Sequence, residues 1–523
     1  MTNHSVGTVE AGWRLGDRCC LLDGFAYGSR YPSVRIDFTA TDLSHVLRCA
    51  LLDILVDRLS IPFDSGAFRV MSEPESESCE ASVGWLLQVT DGLVRAAGQP
   101  IFESSRILEA REAHYLALTP CMGSTQHFVF TLFACLMDIV NDLRGESSVA
   151  QSAEALGKAF SAVRQASTIS SNVPNFLKAA LELGIPVRQL VGQTFQYGMG
   201  RKSRWLDSSF TDQTPLIGGR IARDKVVSAH LLRKAGIPVP DHILAKDLEE
   251  AVAAAEQLGY PVVVKPRNLD GGVGVAAGLT TRAELEAAVM NCLKSNRPML
   301  VQKHFEGRDY RLNVFHGRMI WAIERVPGGV TGDGTSTVSE LILQINADPW
   351  RGEGRHLPLS PITLDAEALD LLAKAGLSSE AVPEAGQFVR LRRIANIAAG
   401  GVPKAVFEQV HPDNRDLAIR AAGVLRLDLA GVDLLIPDIA ISWLESGAVI
   451  CEVNAQPNLG QMTSAHIYGE ILKGLIEGEG RIPTIMVLGA SQPAQLADAI
   501  ESALAGHVAE IGRSDEMGVR VGS

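Results

Sequence analysis

The chain has 523 residues, with 46% hydrophobic and 21% charged side chains and a formal charge of -12. At roughly 100–200 residues per domain, this length predicts about three or four domains, each able to bury a core. The acidic balance excludes a dedicated nucleic-acid binder, which needs a basic excess to displace counterions from phosphates. The longest apolar stretch, Phe128 to Val140, is interrupted by Thr131 and Asp138. It falls short of the ~20 residues of a membrane-spanning helix and reads as a buried helix. The eight cysteines form no CxxC pair and follow no signal peptide, which predicts reduced thiols in a cytoplasmic protein.

Residues 1–160 read as an N-terminal α/β domain without recognisable chemistry. An amphipathic helix is expected to open at Thr41-Asp42, with Leu43, Val46, Leu47, Ala50, Leu51, Ile54 and Leu55 at helical spacing. The acidic run Glu73-Pro74-Glu75-Ser76-Glu77 reads as an exposed loop, and a helical stretch begins near Val149. Residues 161–480 alternate short strands and helices, an α/β (α+β) texture with helices covering a sheet. Within it, Asp247 to Leu258 reads as a helix and Val262-Val263-Val264 as a buried strand. Thr281-Arg282-Ala283-Glu284 matches a capping box. Leu300-Val301-Gln302 and Tyr310 to Phe315 read as further strands. Arg325 to Arg392 reads as loops with short helices. An alanine-rich helix follows Asp416, and strands are expected over Gly431–Ile436 and Ala448–Val453. Residues 481–523 read as a strand, a helix to about Ala505 and a polar tail.

Two local patterns carry chemistry. Lys265 ends a buried strand and precedes Asp270-Gly271-Gly272-Val273-Gly274. Glycines let backbone N–H groups approach phosphate oxygens, and a lysine adds a point charge. A tight structural turn explains the same residues equally well, and the P-loop spacing is absent. The second pattern is Glu452 and Asn454, two apart on one strand and so on one face. With Asp433 on a neighbouring strand they make a three-oxygen set of the kind magnesium uses beside substrate phosphates. Asp433 could equally cap a turn and Glu452 pair with an arginine. Arg308, Arg311, Arg392 and Arg393 lie between the two patterns. Phosphoryl transfer needs such cations, although each alone reads as a surface ion-pair residue.

The order Lys225, Lys265 with its glycines, Gln302, Asp309-Tyr310-Arg311, Asp433, Glu452 and Asn454 resembles the ATP-grasp superfamily. More narrowly it resembles the ATP-grasp portion of cyanophycin synthetases. The matching text includes Thr331-Gly332-Asp333-Gly334-Thr335-Ser336-Thr337, Asn346-Ala347-Asp348-Pro349, Ala395-Asn396 with Gly400-Gly401, His411-Pro412 and Asn454-Ala455-Gln456-Pro457. The resemblance runs from about Gly192 to Pro483. It implies an ATP-grasp fold over 161–480 with a lid at about 226–300, an added N-terminal domain, and a short remnant over 481–523.

The resemblance also implies roles. Lys225 and Lys265 would contact nucleotide phosphates, with Gly271, Gly272 and Gly274 in the phosphate loop. Gln302, Lys303 and Phe305 would form the adenine hinge and Asp309 would hold the ribose. Arg311, Arg392 and Asn396 would serve the transferring phosphoryl group. Asp433, Glu452 and Asn454 would hold two Mg2+ ions, for which Mn2+ can substitute.

Three departures qualify the match. Gln302 stands where the family usually has Glu, and an amide oxygen still accepts from adenine. Gly271 and Val273 stand where the family loop often carries His and Arg. After Ile482-Pro483 the strand expected through Gly489 is not followed by GKT, so the second, muramyl-ligase-type ATP site of the family is not expected.

The implied activity is an ATP-dependent carboxylate–amine ligase that forms an amide between amino acids, γ-glutamyl or β-aspartyl bonds included, through an acyl-phosphate. A discrete short product is expected. Two further readings are a cyanophycin-type polymerase joining dipeptide units and a non-catalytic nucleotide-binding protein. The expected partners are amino acids or short peptides, with no nucleic acid and no membrane; a homo-oligomer is left open.

Overall fold

The computed structural model describes residues 12–522 except 23–25, 62–77, 146–147, 168–169, 268–273, 295–297, 353–358, 396, 477, 479, 483–484, 487–492, 505–510 and 516–517. The acidic run Glu73–Glu77, the loop glycines Gly271 and Gly272, and Asn396 lie outside the described residues. Residues up to Gly480 form one compact unit and Arg481–Ser523 another.

The chain opens with five strands: β1 (Arg14–Leu15), β2 (Cys20–Leu22), β3 (Ser33–Thr39), β4 (Arg106–Arg111) and β5 (His114–Pro120). They form an antiparallel sheet in the order β1-β3-β5-β4, with β2 also paired to β3. Strand alternation buries Val34, Ile36 and Phe38 on one face. The helix Gln126–Arg144 covers that face, and Phe38 meets Phe133 edge-on at 5.2 Å. This helix contains the apolar run read from the sequence. The helix expected at Thr41-Asp42 starts at His45 instead, because the Ser44 hydroxyl accepts from the Leu47 N–H and caps it.

Four further strands follow: β6 (Val187–Val191), β7 (Thr194–Tyr197), β8 (Arg204–Asp207) and β9 (Phe210–Thr211), paired in that order. Phe195, Tyr197 and Leu206 join the same core as the N-terminal sheet, as does the helix Ile467–Leu475. That core therefore runs well past residue 160. Apolar faces far apart in the sequence find each other, and no hydrophobic boundary falls at residue 160.

The next sheet is antiparallel, β10-β13-β11-β12, built from β10 (His242–Ala245), β11 (Val262–Pro266), β12 (Ala276–Leu279) and β13 (Met299–Lys303). Helices Leu248–Leu258 and Arg282–Leu293 supply its separate core. The Thr281/Glu284 capping box is present.

The largest remaining sheet has the order β18-β15-β14-β19-β20. It contains β14 (Arg308–Phe315) and β15 (Arg318–Val326), while β16 (Gly329–Thr331) and β17 (Phe388–Arg390) pair apart from it as a two-stranded sheet. β18 (Val402–Ala405), β19 (Leu429–Ile436) and β20 (Val449–Asn454) complete the large sheet. One face carries Tyr310, Leu312, Val432 and Leu434 against Leu417, Ala418 and Ala421 of the helix Pro412–Val424. The region 325–392 thus holds a strand pair with a small core of its own, including Val330, Leu372 and Val389.

In the second unit the helix expected to reach Ala505 is Pro493–Leu504. The tail forms a hairpin of β21 (Ile511–Asp515) and β22 (Gly518–Gly522), paired antiparallel. Of the strand expected over 482–488, Ile482, Ile485 and Met486 are not in a strand, and 483–484 and 487–488 lie outside the described residues. No helix of the described residues is long and apolar enough to cross a membrane.

Candidate active site

Strand register decides what meets on the open face of the large sheet. On β14 and β19, Arg311 lies opposite Asp433. On β19 and β20, Asp433 lies opposite Glu452 and Gly431 opposite Asn454. On β14 and β15, Asp309 lies opposite Arg325. Positions two apart share a face, so Asp309, Arg311, Arg325, Asp433, Glu452 and Asn454 all belong to the face turned away from the helix Pro412–Val424.

These groups are ion-paired. Asp433 receives Arg311, through its Nε and, at 3.2 Å, its Nη2. It also receives Arg325 Nη2 at 3.1 Å. Arg325 reaches Asp309 as well, with Nη2 at 2.6 Å and Nε at 3.0 Å from Oδ1. Burial pushes the Asp433 carboxyl up, but the two guanidinium groups outweigh it and hold Asp433 below the usual carboxylate range. Asp309 goes the other way: burial raises it, and Arg325 only partly offsets that.

A second layer of cations closes over this face. Lys225 Nζ lies 3.0 Å from Glu452 Oε1. Lys225 opens a helix whose N-cap, Asp224, accepts from the N–H groups of Val226 and Val227. Asp224 also pairs with Arg267 at 2.6 Å, one residue beyond β11. Lys265, on β11, is desolvated, which pushes its ammonium down. Its electrostatic neighbours are Cys451, Glu452, Lys225 and Asp433, so the small antiparallel sheet carries its lysine to the carboxylates of Glu452 and Asp433. Burial pushes the Cys451 thiol up to about 12, which leaves it protonated and unreactive at neutral pH.

Two glycines make the close approaches possible. A Cβ on Gly431 would meet Pro457 Cβ at 2.7 Å and Arg311 Cδ and Nη1 at 3.0 Å. Gly274 has φ +72° and folds back on Pro266, whose Cγ would lie 3.0 Å from an added Cβ.

The other residues singled out from the sequence lie around this centre. Gln302 is buried beside Val263 across the β11–β13 pairing. Phe305 reaches toward Gly447, whose Cβ would lie 3.9 Å from its ring. Lys303 bonds the Gly259 and Tyr260 carbonyls at 2.9 and 3.2 Å, which holds the end of β13 to the loop before β11. Arg392 stands apart. Its guanidinium bonds Asp365 at 3.1 Å and the Thr363 carbonyl and hydroxyl at 3.0 and 2.8 Å. Those partners belong to the subdomain of β16 and β17, and no ion pair joins Arg392 to Asp433 or Glu452 among the described residues.

Two groups of the centre were not singled out from the sequence: Arg325, and the Asp224–Arg267 pair. Arg325 gave no signal, because the hairpin register counted from its turn places Glu324 opposite Asp309. The Asp224–Arg267 pair joins positions 43 apart and gave none.

The donor set fits a divalent cation bound together with phosphate oxygens. Two carboxylates and one amide oxygen face one way, and Asn454 turns its amide nitrogen to the Gly431 carbonyl at 3.5 Å. Among the described residues no three His, Cys, Asp or Glu side chains form a closed metal cage. Hard oxygen donors on an open face are the arrangement magnesium accepts when a nucleotide supplies the rest of its shell.

The chain matches the family model for an ATP-grasp domain over residues 217–308 and that for a RimK-like ATP-grasp domain over 384–477. It is 35% identical over 323 residues to cyanophycin synthetase of Nostoc sp. (strain PCC 7120 / SAG 25.82 / UTEX 2576), covering 60% of this chain and 36% of that protein. It is 32% identical over 290 residues to the glutathione biosynthesis bifunctional protein GshAB of Mannheimia succiniciproducens, covering 54% of this chain and 37% of that one. A solved bifunctional glutathione synthetase from Pasteurella multocida aligns over 86% of this chain and 82% of its own, with 18% identity and a TM-score of 0.47.

Proposed function

We propose that this chain, an ATP-grasp protein resembling cyanophycin synthetase, is a ligase that joins a carboxylate to an amine at the expense of ATP. One observation carries the proposal. The register of β14, β15, β19 and β20 puts Asp309, Arg311, Arg325, Asp433, Glu452 and Asn454 on one face, beneath Lys225 and Lys265.

In this reading Lys225 and Lys265 bind the nucleotide phosphates and Asp309 accepts from the ribose hydroxyls. Gln302 accepts from the adenine amino group. Asp433, Glu452 and Asn454 would hold two divalent ions, Mg2+ with Mn2+ as a substitute, which would supply charge to neutralise the phosphates. Arg311 stabilises the charge that spreads over the transferring phosphoryl group. A substrate carboxylate oxygen attacks the γ-phosphorus, the bond to the β–γ bridging oxygen breaks, and ADP leaves. The amine nitrogen then attacks the acyl carbon, the carbon–oxygen bond breaks, and phosphate leaves, with the amine proton passing to phosphate or solvent.

The acyl donor and amine we assign to the class of amino acids and short peptides. The eight cysteines carry no disulfide among the described residues, which with the use of ATP fits a cytoplasmic setting. The chain spans 36% of its cyanophycin synthetase relative and 37% of its GshAB relative; the substrate pair is therefore to be found by experiment. A phosphate-release screen over pairs of amino acids, with mass spectrometry of products, tests the reading. ADP, phosphate and a new amide are expected; AMP and pyrophosphate as the nucleotide products would overturn the acyl-phosphate route.

A further inference from the structure

Arg325 sits between two carboxylates with different tasks. Its Nη2 is 2.6 Å from Asp309 Oδ1 and 3.1 Å from Asp433 Oδ2. Asp433 is buried, and Arg311 engages both of its oxygens, sharing Oδ2 with Arg325, while Glu452 is engaged by Lys225 at 3.0 Å. The carboxylates of the metal set are thus already neutralised by the protein's own cations. A bare divalent cation approaching Asp433 meets two guanidinium groups within about one hydrogen-bond length of its ligand atoms. Like charges at that separation repel. A nucleotide changes the balance, because its phosphate oxygens offer those guanidinium and ammonium groups an equally good partner.

We propose that Arg325 is a positioning residue that holds Asp433 closed to free metal until a nucleotide arrives, with Lys225 holding Glu452 in the same way. The site then takes up its divalent cation with the nucleotide and not before it. This rests on the ligase reading above, with Asp433 and Glu452 as metal ligands. It also gives Arg325 a second duty. By bridging Asp309 and Asp433, it links the ribose end of the site to the metal end, so that settling the ribose on Asp309 loosens the hold on Asp433.

The test measures Mn2+ binding to the full chain by electron paramagnetic resonance without nucleotide, and ADP binding by calorimetry with Mg2+. Wild type is compared with Arg325→Gln, Arg325→Lys and Lys225→Gln, with melting curves to report folding. In Arg325→Gln, Mn2+ should bind about tenfold more tightly than in wild type without nucleotide, because one repelling charge is gone. ADP should bind more weakly, because Asp309 loses its partner. Arg325→Lys keeps the charge and should restore the exclusion of free Mn2+, an outcome that lost packing alone would not give. Lys225→Gln should also tighten free Mn2+ binding, and it carries the test if Arg325→Gln does not fold. Unchanged or weaker Mn2+ binding in the folded charge-removing variant overturns the proposal, and ADP binding by the wild-type chain leaves the ligase reading standing. A wild-type chain that binds neither ADP nor ATP with Mg2+ removes the ligase reading itself.

Discussion

The Lys225 ammonium lies 3.0 Å from Glu452 Oε1, with only 8% of the lysine side chain and 24% of the glutamate exposed. The contact ties the first turn of the helix Lys225–Lys234 to β20. Both charges are largely withdrawn from water, as ion pairs at functional sites often are.

Glu452→Gln should lose most turnover while keeping the fold. The substitution is close to isosteric and leaves Lys225 a hydrogen-bond acceptor, so the fold should be kept although losing the charge opposite a buried ammonium lowers stability. Electrostatic contacts of this kind are worth ~10²–10³ in rate. Turnover at saturating substrates is the measurement, with circular dichroism as control. A wild-type rate would remove Glu452 from the metal set.

Lys265→Ala should weaken nucleotide binding. A charged hydrogen bond contributes about 1.5–3 kcal/mol, or roughly 10–100-fold in affinity. Because burial already holds the ammonium below its ordinary value, removing it should not harm stability. Direct titration with ADP decides; unchanged affinity would place Lys265 outside the site.

Gly431→Ala should damage the site from behind. The new Cβ would press on Pro457 and on Arg311, and overpacking of this kind costs about 1–3 kcal/mol. Arg311 must shift off Asp433 to relieve it. A lowered melting temperature together with lost turnover is expected; a variant with wild-type values for both would contradict the close packing of Arg311 over Gly431.

Asp224→Asn should lower stability at neutral pH by removing the charge facing Arg267, since Asn still caps the helix. Burial pushes the Asp224 carboxyl up from its ordinary 3.8, but Arg267 and the Val227 and Val226 N–H groups outweigh it, so the folded value is depressed. A depressed carboxylate contributes stability that is complete above the unfolded value and is lost as pH falls through the folded one. The wild-type advantage in melting temperature should therefore hold from neutral pH down to about 4 and shrink below that. An advantage independent of pH to the end of the acid range would show that charge is not its source.

The order of chemical groups was legible in the sequence, because it depends only on which residue follows which. Lys265 at the end of an apolar run, Glu452 and Asn454 two apart, and the Thr281/Glu284 box are all local. Strand period and capping geometry act over a few residues, so these read directly. The α/β character and five strands, β11, β13, β14, β19 and β20, were legible for the same reason.

Register was not. The turn at His316-Gly317 pairs Phe315 with Arg318 and Val314 with Met319. Counted on without interruption, that pairing would set Asp309 against Glu324. An irregularity at Asn313/Val314 inserts one residue in β15 and brings Arg325 opposite Asp309 instead. Because side chains alternate with period two, the one-residue shift turns Arg325 to the site and Glu324 away from it. A second irregularity, between Asp433 and Leu434, admits Cys451 as the extra residue of β20 and keeps Glu452 opposite Asp433. No local pattern marks either bulge, since each is fixed by packing on both faces of the sheet. The sequence by itself determined which charges the site contains, and only the tertiary structure decided which of them neutralise each other, because a bulge is settled by the fit of whole strands and not by the residues it displaces.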